Sequence, residues 1–247
     1  QGHCTKMRQI RNLFFMSIAL VIIPAVTAQK IKVRAVGVDD KRGEIIFREA
    51  GALVLREGYM ISGQVEFSDQ RGVVITRQIV RVTRSSVAPD YTTDDLRDGY
   101  REAVRYSDGA YEILSRDHAA DPERRVRLQV PEMKISAVTF PGFSNFVHRH
   151  WHTLAEGRPV YFYLIVPTRR DYYLFRLVKD RLNGTGDAAT LTLRIEPGNF
   201  LLRMFVDAIR ISFSMKDRRL LRYDGIHFVR DLPKYLGRRL RVSYEYQ

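Results

Sequence analysis

Three of the six histidines of this chain fall within five residues, as His148-Arg149-His150-Trp151-His152. On a helix His148 and His152 are four residues apart and share a face, the spacing by which two histidines grip a zinc ion. The segment lacks the glutamate next to the first histidine that acts as general base in zinc hydrolases of this pattern. The shared face is also the polar one, so no metal is expected here. His150 lies on the apolar stripe beside Trp151 and reads as a packed, hydrogen-bonded histidine. A hydrolase would draw on His148, His152 and Asp171, but no nucleophile elbow, phosphate loop or dinucleotide fingerprint accompanies them. The expectation is a protein that is not an enzyme, with no cofactor and no catalytic residue.

Other clusters read the same way. Asp90, Asp94, Asp95 and Asp98 lack the spacing of a calcium loop and are expected to cap a short helix or turn over 94–100. Arg169-Arg170-Asp171-Tyr172-Tyr173 could hold a phosphate or carboxylate, but reads more simply as a strand connection with an ion pair. Cys4 is the single cysteine, so no disulfide framework and no cysteine-ligated zinc is available.

The N-terminal region points to export. Arg8 and Arg11 follow Met7, Leu13–Val26 is an uncharged run of 14 residues, and Val26-Thr27-Ala28 supplies small residues before a cut. A secretory apolar region is about 7–15 residues, whereas a bilayer span needs about 20. Residues 1–28 are therefore expected to be a signal region starting at Met7 and cleaved after Ala28, with localisation in the periplasm or outside the cell. Residues 29–247 are expected to form one domain with no transmembrane span. The chain holds 41 Lys and Arg against 28 Asp and Glu. Residues 1–28 contribute only Lys6, Arg8 and Arg11, so the remainder stands at +10. That surface favours anionic lipid or another anionic envelope polymer over nucleic acid in an exported protein.

These residues need elements to position them. Period-two alternation recurs at 59–68, 160–166, 189–196 and 240–246, and hairpins are expected at Asp69–Gly72, Asp108-Gly109, Asn183–Asp187 and between 208–215 and 219–223. Phe143, Phe146, Val147, His150, Trp151 and Leu154 recur at helical spacing, between Pro141-Gly142 and Gly157. A further short helix is expected at 199–206. The fold class is mainly β (α+β): a strongly curved antiparallel sheet of about nine or ten strands wrapped around one amphipathic helix.

The stretches Ala88–Asp90 with Leu96–Val104, Phe140–Trp151 with Ile165–Tyr173, and Glu196–Ile209 with Arg218–Ile226 together resemble a group of uncharacterised exported proteins of Gram-negative bacteria, a domain of unknown function. In the order of elements the chain is also similar to periplasmic lipoprotein-carrier half-barrels. The resemblance carries no activity and no site residues. The expected function is an envelope protein that binds a lipid or other hydrophobic ligand, with Phe143, Phe146, Val147, Trp151 and Leu154 as the apolar wall. The alternative is a non-enzymatic structural or interaction protein of the envelope.

Overall fold

The structure, a computed structural model, describes residues 27–199, 208–226 and 239–247. The apolar run at 13–26, expected to belong to a signal region, and residues 200–206 of the helix expected at 199–206 lie outside those residues. Among the described residues fifteen strands form a single sheet, rather than the nine or ten expected. The first eight are β1 (Gln29–Asp39), β2 (Ile45–Arg56), β3 (Tyr59–Ser68), β4 (Val74–Arg81), β5 (Asp90–Asp95), β6 (Arg101–Ser107), β7 (Ala110–Arg116) and β8 (Arg124–Leu128). The rest are β9 (Ser136–Val138), β10 (Val160–Val166), β11 (Asp171–Asn183), β12 (Thr190–Pro197), β13 (Ile209–Ser214), β14 (Leu220–Ile226) and β15 (Arg239–Tyr246).

The spatial order runs from β8 back to β1, then from β15 back to β9. The chain is thus two meanders joined where β1 pairs with β15, Val33 opposite Tyr246 and Ala35 opposite Tyr244. All neighbours are antiparallel except β9 and β10, which run parallel. A parallel pair needs a crossover of a dozen or more residues, and here it carries the helices. These are α1 (Phe143–Arg149) and α2 (Trp151–Ala155), separated by a break at His150. The amide of His150 still donates to Phe146 O and that of Leu154 to His150 O. One apolar stripe therefore survives the break, with Phe146, Val147, Trp151 and Leu154 all buried. No helix forms over 94–100: Asp94 and Asp95 belong to β5, and the segment turns at 96–98.

So long a sheet must curl, and its inner face does so around the helices. One core cluster joins Phe47 of β2, Val138 of β9, Phe162 of β10, Leu193 of β12, Phe213 of β13 and Val242 of β15 to the helical stripe. A second joins Tyr91, Val104, Tyr111 and Ile113 of β5–β7 to Ala137 and Ile165 of β9 and β10. The sheet thus overlaps itself: β9 and β10 turn Val138 and Phe162 toward the helices, and Ala137 and Ile165 against β5–β7. Polar ties lock the overlap. Arg170, at the β10–β11 turn, donates to Ser115 Oγ at 3.0 Å and pairs with Asp117. Glu132 accepts from Tyr111 Oη at 2.9 Å and from the Ala137 amide at 3.3 Å, and pairs with Arg84.

Asn145 anchors α1. Its Oδ1 accepts from the Met60 amide, and its Nδ2 donates to Met60 O and Ser86 O, each at 2.8 Å. Asn145 is 2% exposed and its two bonds to Met60 are buried, so the Met60 backbone groups have no water to fall back on. The adjacent β2–β3 turn, Glu57-Gly58, has both residues at positive φ (53° and 80°), the two-residue turn that matches strand twist. A Cβ on Gly58 would lie 2.6 Å from His148 Cε1, so glycine is required there twice over. Replacement Asn145→Ala is expected to lower stability by about 2–4 kcal/mol, because buried partners are left unsatisfied. Urea unfolding should show a lower midpoint at an unchanged slope.

Candidate functional site

One short helix cannot fill the interior of so large a sheet. Between the inner faces of β1–β3 and β10–β15 lies a cavity of about 920 Å³, near the top of the roughly 300–1,000 Å³ over which proteins enclose whole small molecules. Its wall is apolar along most of its length: Val33 and Leu53 on one side face Leu164, Phe175 and Ile211 on the other, with Phe143 from α1. Leu164, Phe175, Ile195 and Ile209 are only partly buried although they pack on the main core. What they meet on the remaining side is the cavity.

The expected wall residues divide. Phe143 lines the cavity, while Phe146, Val147, Trp151 and Leu154 are buried in the core cluster. Their burial has a physical reason: they point from the helices into the sheet, and the α1 residues that face the open space are Phe143, Ser144, Asn145 and His148. The residues that line the rest come from strands, which the helical stripe could not indicate. Their signal is strand parity: Leu53 and Leu55 in β2, and Phe162, Leu164 and Val166 in β10, each share one face.

The histidine cluster does not converge. His148 Nδ1 lies 3.2 Å from Gly58 O, and the ring stacks on Tyr59 with centroids 4.7 Å apart. Desolvation and then Arg218 lower its pKa, so the ring is neutral at pH 7 and donates from Nδ1. His150 packs on Phe146, and His152 is exposed. Among the described residues no group of three His, Cys, Asp or Glu is placed to hold a metal. Asp171 starts β11 on the exposed side. The Asp90–Asp98 carboxylates serve strands and turns: Asp90 accepts from the Tyr106 amide, Asp95 binds Arg97, and Asp98 accepts from the Tyr100 amide.

Charge is distributed unevenly around the cavity. Arg169 at the β10–β11 turn, and Arg218 and Arg219 at the β13–β14 turn, line it from opposite ends of the sheet. Arg219 pairs with Asp217, and Arg218 lies over the Trp151 ring at 5.5 Å. Arg169 is exposed and has no ion-pair partner among the described residues.

Inside, the one acid away from the turns is Glu49. It follows Phe47 and precedes Leu53 on the inner face of β2, where Ala35 opposes it on β1. The residue is half-buried and lines the cavity, and desolvation by the surrounding protein pushes its pKa up to about 7. Neighbouring Tyr244 and Tyr246 are phenols held well above their ordinary pKa, by desolvation first and by the Glu49 charge second. No hydrogen bond or ion pair to Glu49 is made among the described residues. Sequence reading missed it because Arg48-Glu49 looks like a charged pair in water; parity with Phe47 and Leu53 is the signal that marks it.

An acid whose pKa is raised in the folded state binds more protons folded than unfolded. Stability is therefore complete below the unfolded value near 4.5 and declines as pH rises to about 7, then levels off. The loss attributable to Glu49 is up to about 3 kcal/mol. In Glu49→Gln this component is expected to vanish, so that the variant gains on the wild type between pH 5 and pH 8 in urea unfolding.

No protein-family model matches the sequence, and no curated protein resembles it at a significant level. Among solved structures the chain is similar to a β-barrel-like protein of the domain of unknown function DUF1849 from Brucella abortus. The TM-score is 0.56 over 88% of this chain and 97% of the other, at 7% identity. The likeness is one of fold. It agrees with a large, curved, mainly β sheet, and the neighbour's family is itself of unknown function.

Proposed function

We propose that this is an exported envelope protein that binds one amphipathic lipid, its acyl chain in the interior cavity and its anionic head group against the arginines at the cavity's ends. The observation that carries the reading is the cavity itself: about 920 Å³ of mostly apolar space whose lining arginines sit at the turns, at opposite ends of the strands. A dry apolar void leaves its lining without contacts on one side, and a chain that fills it restores them. The cations give the orientation. A carboxylate or phosphate meets Arg169, or Arg218 and Arg219, by the paired donors that make arginine the usual partner of such groups. Export is supported by the basic, apolar and small-residue order of 1–28. No described helix is long and apolar enough to cross a membrane.

Stearate and octadecanol, titrated by displacement of a fluorescent apolar probe, test both halves of the reading. Leu164→Trp, which pushes a bulky ring from the wall into the path of the chain, is expected to weaken both by about tenfold while the protein stays folded. Arg169→Glu is expected to weaken stearate by about tenfold at low salt and leave octadecanol within about twofold, with the difference shrinking as salt rises. Equal binding by the wild type and Leu164→Trp would overturn the assignment of the cavity.

A further inference from the structure

A cavity meant only for a plain hydrocarbon chain has no use for a carboxyl group. Glu49 sits on the inner face of β2, near the middle of the strand and several residues from either turn. Across β1 it shares a row with Tyr244, since Ala35 opposes Glu49 on one side and Tyr244 on the other. Both side chains line the cavity. Neither the Glu49 carboxyl nor the Tyr244 hydroxyl has a hydrogen-bond partner among the described residues. Gln29, Ser144 and Thr168 of the wall are exposed, and the less exposed polar groups are matched: Asn145 is bound to Met60 and Ser86, Gln78 donates to Thr93 Oγ1, His148 meets Gly58 O, and Tyr246 donates to Leu220 O. Both residues are half-buried, and their polar atoms are open to the cavity rather than sealed in protein. A polar group placed without a partner in an apolar wall is well suited to contact a polar atom of the ligand.

We infer that the cavity selects an anionic amphiphile whose hydrocarbon chain carries a hydroxyl group, which donates a hydrogen bond to the Glu49 carboxyl and accepts one from the Tyr244 hydroxyl. The inference rests on the lipid-binding reading above and names the class of chain that site prefers. A hydroxyl fits because it offers one donor to an acceptor and one acceptor to a donor. A chain bearing an amine would also match the carboxyl, but the amphiphile would have to pass Arg169, Arg218 or Arg219, the charges that line the ends of the cavity. A bare chain satisfies neither group.

The test compares stearate with a series of monohydroxystearates bearing the hydroxyl at successive positions, each titrated into the full chain and into Glu49→Leu and Glu49→Gln. In the wild type one position is expected to bind about tenfold more tightly than stearate, the gain of one hydrogen bond to a charged group. In Glu49→Leu that preference is lost and stearate itself binds more tightly. In Glu49→Gln, which keeps an acceptor without the charge, part of the preference remains. A wild type that binds stearate and every isomer alike, or a preference that survives Glu49→Leu, overturns the inference and leaves the lipid-binding reading standing. Tighter binding of octadecylamine than of any hydroxystearate overturns it in favour of a cationic ligand. Failure of all three proteins to bind stearate or any hydroxystearate overturns the inference and the lipid-binding reading together.

Discussion

A sheet of fifteen strands that does not pair its first edge to its last has to hide both, because unpaired strand edges recruit other chains. Here the two ends overlap. β9 and β10 lie beneath β5–β7, with Ala137 and Ile165 against Tyr111, Ile113 and Val104. Much else follows from this contact. The crossover that makes β9 and β10 parallel must return through the interior, which places α1 and α2 there. Asn145 then ties α1 to β3 and to the β4–β5 connection. A single pair of short helices fills part of the enclosed space, and the cavity is the remainder.

The outer and inner faces handle charge in opposite ways. Outside, arginines and carboxylates alternate across β11–β15: Glu196 binds Arg176 and Arg194, Asp180 binds Arg194 and Arg210, and Asp224 binds Arg222 and Arg241. These pairs are mostly part-buried, and they tie five arginines to three carboxylates. The extra residue that lets Asp180 reach two arginines is a bulge between Lys179 and Arg181. Inside, Glu49 stands without a cation. Sequences that specify one fold tend to break the rules of burial at sites of function, and Glu49 is the clearest such break in this interior.

Much of the architecture was legible in the sequence. The alternation at 160–166 and 240–246, the Asp108-Gly109 turn, the 208–223 hairpin and the helical stripe all correspond to elements of the structure. The count of nine or ten strands fell short for physical reasons. β2 carries Ala50, Gly51 and Ala52, small on both faces, and blurs its own period. β9 is three residues long and exists only because β10 is beside it. In β3 the pairing slips past Ile61, so Met60 is buried instead of the residues alternating with Val65. β10 reads as a run of apolar and aromatic residues because both of its faces are covered, one by the cavity wall and one by the overlap. The candidate site was less legible. A helix stripe announces burial but not whether its neighbours are atoms or space, and Phe143 alone of the expected wall meets the cavity.

The most direct measurement is made on the protein as it comes from the cell. The protein, purified from cells without detergent, is examined by native mass spectrometry and by organic extraction. The expected result is a discrete added mass of one amphiphile per chain, released on extraction and identified as an anionic lipid, with lower occupancy in the cavity-narrowed Leu164→Trp variant. A wild-type protein that is bare, and whose unfolding temperature does not rise when such lipids are added, would contradict it.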